Sequence, residues 1–188
     1  MFQNKNGGKR NTKKLKKHKN ETRKHNPMKL LFVYGSLRKG FNNNHLLKTA
    51  KFIGNCKTKE KYFMVGKLSS ELDSLEDGRQ FSYPPRTFLY PYIFTEDLRK
   101  DCKLSNIMGE LYEVDDKLIK ILDIFEGHPF IFERKQIMVL YNNQSLESSV
   151  YLLNNSEIKK DITDNKNLYI PVIEDWVTAT VNSYEIIG

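Results

Sequence analysis

Only one stretch of this chain, Asp116 to Glu126, combines helical spacing of apolar residues with capping residues at both ends; the other apolar runs are strand-length. Asp115 is placed as an N-cap, Asp116 suits the positive end of the helix dipole, and Gly127 supplies the left-handed residue that ends a helix. Around this helix lie Lys29–Tyr34, Phe52–Gly54, Tyr62–Val65, Gly109–Val114, Arg134–Tyr141 and Ser149–Leu153, all short and strand-like. Several strands around few helices predict a small α+β barrel. The polar stretch Asn154–Asn167 and the mixed stretch Tyr169–Val181 have weak periodicity, and Glu174–Val181 reads equally as a short helix or a strand.

The net charge of +8 suggests nucleic acid only until it is divided along the chain. Residues 1–29 hold eleven of the 31 Lys and Arg against a single acid, Glu21, which leaves 20 basic and 22 acidic residues elsewhere. The folded part is therefore not basic. Residues 1–27 are too polar to bury the apolar surface that offsets chain entropy, so they are expected to form a disordered basic tail before one domain at 28–188. The run Lys13–Lys19 fits a nuclear-import signal, an RNA-binding arm or a solvated extension, and nucleic acid is a partner only through this tail.

Ser69–Pro85, with Gly78 and the Pro84-Pro85 pair, reads as a surface insertion. Cys56 and Cys102 lack metal-ligand spacing and are too few for a disulfide framework, which makes them reduced thiols. No apolar run approaches the ~20 residues of a membrane span, and Leu30–Val33 is too short for a signal peptide. The expectation is a soluble cytoplasmic protein with no membrane partner, and with nuclear entry through the tail as an alternative.

The apolar stripe Leu118, Ile121, Leu122 and Phe125 places Glu126, four residues after Leu122 and seven after Ile119, towards the buried side. Desolvation and the negative helix end both disfavour the ionised form, so its pKa is expected to be raised, as a general acid/base requires. Helix geometry alone also allows a carboxylate frayed into water. Tyr34-Gly35-Ser36-Leu37 follows a strand, and a glycine there lets successive backbone N–H groups converge on an anion or a polarised carbonyl. Such turns are most often only turns. His45 and His128 have no partners at metal-ligand spacing, so no metal site is expected and both read as supporting residues.

Three blocks together say more. Val33-Tyr34-Gly35-Ser36-Leu37-Arg38-Lys39-Gly40, Gly109-Glu110-Leu111-Tyr112-Glu113-Val114 and Leu122-Asp123-Ile124-Phe125-Glu126-Gly127, in this order and spacing, resemble the gamma-glutamylcyclotransferase-like (AIG2-like) superfamily. The Leu-Arg-Lys-Gly context followed by Asn44-His45 is most similar to its gamma-glutamylamine cyclotransferase branch. The resemblance covers Met28 to Leu153, with an insertion at about residues 67–90 relative to compact members.

The resemblance implies a mixed β-barrel with peripheral helices. It makes Tyr34, Gly35, Ser36 and Leu37 the substrate-binding loop and Glu126 the catalytic residue, with no cofactor. The implied substrate is a gamma-glutamyl amine such as gamma-glutamyl-epsilon-lysine, whose own alpha-amine attacks the side-chain carbonyl, closes 5-oxoproline and expels the amine. Arg38 and Arg134 are secondary candidates for pairing with the substrate carboxylate, and Arg134 is alternatively a brace for the glutamate loop. Two positions depart from the family pattern: Phe132 and Asn154 stand where tyrosines are usual. Gamma-glutamyl dipeptides or glutathione are alternative substrates. A non-catalytic binding module of the same fold is the other alternative, distinguished by whether an open pocket encloses the Glu126 carboxylate.

Overall fold

An odd number of strands cannot close into a ring with every neighbour antiparallel, because strand direction must alternate around it. The computed structural model, which describes residues 27–69 and 88–178, resolves this with one parallel pair. Its strands are β1 (Lys29–Val33), β2 (Lys51–Thr58), β3 (Phe63–Leu68), β4 (Phe88–Phe94), β5 (Met108–Val114), β6 (Phe132–Tyr141), β7 (Gln144–Leu153) and β8 (Tyr169–Pro171). Five of them close a barrel in the order β1-β5-β2-β6-β7, with β7 and β1 parallel at Ser149 and Leu31. The other three form an antiparallel sheet in the order β4-β3-β8. The mixed barrel with peripheral helices is the predicted architecture.

Alternation along the strands builds two cores at once. Phe32, Cys56, Leu111, Val139 and Val150, from all five barrel strands, form one cluster inside the barrel, which Trp176 joins. Leu31, Val33, Tyr112 and Val114 point outward and pack under α1 (Asp116–Phe125). Asp115 caps that helix by accepting the Leu118 N–H at 2.7 Å, and Gly127 takes the left-handed φ of +61°.

The buried face of α1 corrects the expected stripe. Leu118, Ile119 and Leu122 are buried, whereas Ile121 and Phe125 are each 45% exposed. The core row therefore runs through 119 and 122, and Glu126 continues it.

β4, β8, a second helix and the 3-10 helix Asn42–Leu47 were not anticipated. β4 contains Pro91, which has no N–H for a ladder, and it lies at the sheet edge, where that costs least. Its pairing of Lys67 with Tyr90 and Leu68 with Phe88 makes both ends of the expected insertion ordinary strand. Residues 70–87, which carry the rest of it, lie outside the described residues, as do residues 1–26 of the basic tail. Helix α2 (Ser156–Asp164) occupies the supposedly aperiodic stretch; Asn155 caps it, and Ile162 is its one buried residue. Of Glu174–Val181, residues 176–178 are helical and 179–181 lie outside the described residues. Both cysteines are free and buried, and no described helix is long and apolar enough to cross a membrane.

Candidate active site

Where β1 ends, its chain turns through Tyr34, Gly35, Ser36 and Leu37, and all four residues line a cavity of about 400 Å³. Glu126, at the end of α1, lines the same cavity. The Arg38 N–H closes the turn on the Gly35 carbonyl at 2.9 Å. The N–H groups of Gly35, Ser36 and Leu37 make no hydrogen bond among the described residues, which leaves three successive donors for a ligand. Tyr34 is anchored behind them, its hydroxyl donating to the Tyr151 carbonyl at 2.9 Å. Burial first, and then the nearby Glu126 charge, raise the Tyr34 phenol far above its ordinary pKa and keep it a donor.

A buried carboxylate that sequence reasoning missed holds the turn from below. Glu110 accepts the Lys39 N–H at 3.0 Å and the Tyr112 hydroxyl at 2.8 Å. Arg38 brings its Nε to 3.6 Å from the same carboxylate and donates through Nη1 to Asp175 at 2.7 Å. Arg38 is therefore buried in ion pairs and does not line the cavity. The available signal was Glu110 itself, an acid on the strand face that carries Tyr112 and Val114 into the core.

Arg134 also lies outside the cavity lining. It grips Asp123 with two hydrogen bonds, 2.8 Å from Nε and 3.3 Å from Nη2, and Asp123 also accepts the Tyr151 hydroxyl at 2.8 Å. Burial alone would raise the Asp123 carboxyl, but the hydrogen bonds from Arg134 and Tyr151 outweigh it and hold it below its ordinary pKa. The Arg134 N–H donates to His128 Nδ1 at 3.1 Å, which ties the loop after Glu126 to β6. His45 is exposed, its Nδ1 2.6 Å from the Asn42 carbonyl.

Phe132 lines the cavity and stacks on Tyr92 with centroids 5.7 Å apart. Asn154 braces the neighbouring loop, donating from Nδ2 to the Pro129 carbonyl and from its backbone N–H to Ile131. Among the described residues no group of three or more His, Cys, Asp or Glu could hold a metal ion.

Glu126 is the chemical centre of this arrangement. It is half-buried, and no side chain among the described residues pairs with it. Burial pushes its carboxyl from 4.5 up to about 7. The folded chain thus holds this proton to higher pH than the unfolded chain does, so ionisation opposes folding. The cost is absent well below pH 4.5 and is fully developed above about pH 7. Glu126→Gln has no charge to desolvate and is expected to be more stable than wild type at pH 8, by up to about 3 kcal/mol. The gap should close towards pH 4. Urea unfolding at both pH values checks this, and equal stabilities at pH 8 would mean the carboxylate is fully hydrated.

A carboxyl whose pKa burial raises towards neutrality, in a cavity of small-molecule size beside three unused backbone donors, is an arrangement suited to proton transfer on a polar ligand. The chain belongs to the gamma-glutamyl cyclotransferase, AIG2-like family, whose pattern it matches over residues 31–178. It is 38% identical over 126 residues to a protein of Methanocaldococcus jannaschii named as a candidate gamma-glutamylcyclotransferase, covering 66% of this chain and 83% of that one. It is 29% identical over 129 residues to gamma-glutamylaminecyclotransferase A of Danio rerio, covering 64% and 66% respectively. Among solved structures, a mouse AIG2-like protein is 25% identical, with 69% of this chain and 81% of that chain covered and a TM-score of 0.49.

Proposed function

We propose that this protein is a cofactor-independent cyclotransferase that converts gamma-glutamyl amines to 5-oxoproline and free amine, with Glu126 as its acid/base. The observation that carries the reading is the Glu126 carboxyl, raised to about 7 within the cavity that the Tyr34–Leu37 turn also lines. At that value a carboxylate is a strong enough base to take a proton from the substrate ammonium, and its acid form readily gives one back.

The alpha-amine, once deprotonated, attacks the gamma-carbonyl; the nitrogen–carbon bond of the lactam forms as the carbonyl becomes an oxyanion. Collapse of that intermediate breaks the bond to the leaving nitrogen, which takes the proton held by Glu126; the carboxylate so formed takes the remaining proton from the ring nitrogen and passes it to the released amine. The free N–H groups of Gly35, Ser36 and Leu37 suit the negative oxygens of the glutamyl unit. The Glu110, Arg38 and Asp175 network keeps those donors in place without touching substrate.

An open cavity supports catalysis over a pure binding role, because it exposes the one group that the reaction needs. Any nucleic-acid contact would fall to the basic tail alone, which reads equally as a solvated extension. The reaction is tested by measuring 5-oxoproline release from gamma-glutamyl amines, gamma-glutamyl dipeptides and glutathione. Turnover is expected with the amines; release from glutathione alone would reassign the leaving group, and release from none would favour the binding module.

A further inference from the structure

The geometry points to an apolar leaving-group subsite: resting on the cyclotransferase reading, we propose that this enzyme prefers gamma-glutamyl amides whose amine carries an aromatic or branched aliphatic group with no further charge. The leaving nitrogen must come within hydrogen-bond reach of Glu126, because that residue returns its proton. Whatever the nitrogen carries then lies along the rest of the lining, where Tyr90, Tyr92, Phe125, Ile131, Phe132 and Ile158 outnumber the one amide, Asn43, which donates to Ser36 Oγ at 2.9 Å.

Among the described lining residues Glu126 is the only one with a formal charge, and the Tyr92 hydroxyl is already engaged with Tyr90. A leaving group with its own ammonium and carboxylate, such as lysine released from an isopeptide, would shed water there and meet no charged partner but Glu126 among the described lining residues. An apolar group gains from the same wall about 25 cal/mol for each Å² it buries.

The rim is bare in the same sense. Phe125 and Ile131, which line the cavity, are 45% and 41% exposed. This exposure is built in, because the loop is fastened on both sides. The N–H groups of Phe130 and Ile131 bond to the Gly127 carbonyl, and the Ile131 carbonyl accepts from Asn154 and Asn155. Such a fixed apolar rim at the mouth of a cavity suits an apolar ligand more than it suits water.

The test compares kcat/KM for 5-oxoproline release from four substrates: the gamma-glutamyl amides of phenethylamine, isoamylamine and methylamine, and gamma-glutamyl-epsilon-lysine. The phenethyl and isoamyl amides are expected to exceed the lysine compound at least about tenfold, the discrimination that apolar pockets reach. Phe125→Asp, at an exposed helix end, is expected to narrow that ratio by about tenfold by placing an anion on the rim. If the methylamide turns over and the lysine compound equals or exceeds the phenethyl amide, the subsite is overturned while the cyclotransferase reading stands. If none of the four releases 5-oxoproline, that reading fails and the subsite fails with it. Because the comparison among substrates is made on wild type, a Phe125→Asp protein that does not fold leaves the test intact.

Discussion

Glu126→Gln is expected to fold normally and to release 5-oxoproline about 10²–10⁴-fold more slowly than wild type, mainly through kcat. The amide keeps the shape of the carboxyl and its place at the end of α1, so the cavity survives. What it loses, on the proposed mechanism, is the ability to take a proton from the substrate ammonium and deliver it to the leaving nitrogen. A damaged site gives the same loss for a different reason, and two measurements separate them. The mutant should be the more stable protein at pH 8, as argued above from the raised carboxyl. The wild-type kcat/KM should fall tenfold per pH unit below about 7 as Glu126 protonates, and the residual rate of the mutant should lack that limb. A mutant within tenfold of wild type would remove Glu126 from the chemistry.

The parts of this molecule that were legible in the sequence are those fixed by local chemistry. The ends of α1 are set by Asp115 and Gly127, each within one turn of the helix it bounds, so both could be read directly. The placement of Glu126 followed from its distance to Ile119 and Leu122, even though the stripe was drawn through Ile121 and Phe125, which the fold leaves exposed. Elements that depend on distant partners were not legible. α2 buries only Ile162, so its own periodicity is faint, and it stands on Asn155 and on neighbours from the three-stranded sheet. β4 follows a polar stretch and contains a proline, and only its pairing with β3 identifies it as an edge strand.

The same distinction runs through the site. Tyr34–Leu37 and Glu126, which the fold brings to one cavity, could be singled out because motif and helix spacing are local properties. The supports of the turn are long-range: Glu110 meets Lys39 across 71 residues, and Asp175 meets Arg38 across 137. Arg38 could be read as a charge near a substrate, but the acids that claim it belong to other segments. Arg134 had two open readings, and the carboxylate it grips, Asp123, sits three residues before Glu126. Its position is that of a brace for the end of α1 and the loop that follows.

Gly35→Ala is expected to lower kcat/KM about 100-fold while shifting the unfolding midpoint little, because it changes the spacing of the site more than the core. Gly35 does not occupy the left-handed region, so alanine meets no backbone strain there. The obstacle is space: a Cβ would lie 2.8 Å from Pro91 Cγ and 2.9 Å from its Cδ. Neither side yields easily. Pro91 is held in β4 opposite Gly66, and the turn is tied to Glu110 through Lys39 and to Asp175 through Arg38. Relief therefore has to displace the three free N–H groups relative to Glu126, and a shift of about 1 Å in a reacting geometry is enough for a loss of this size. The contact predicts its own rescue. Pro91→Ala removes both clashing atoms, so the double mutant should recover most of the activity lost by Gly35→Ala, a coupling that two independent lesions would not show. If the single mutant stays within threefold of wild type, or the second substitution restores nothing, the distance between this turn and the β4 wall does not govern catalysis.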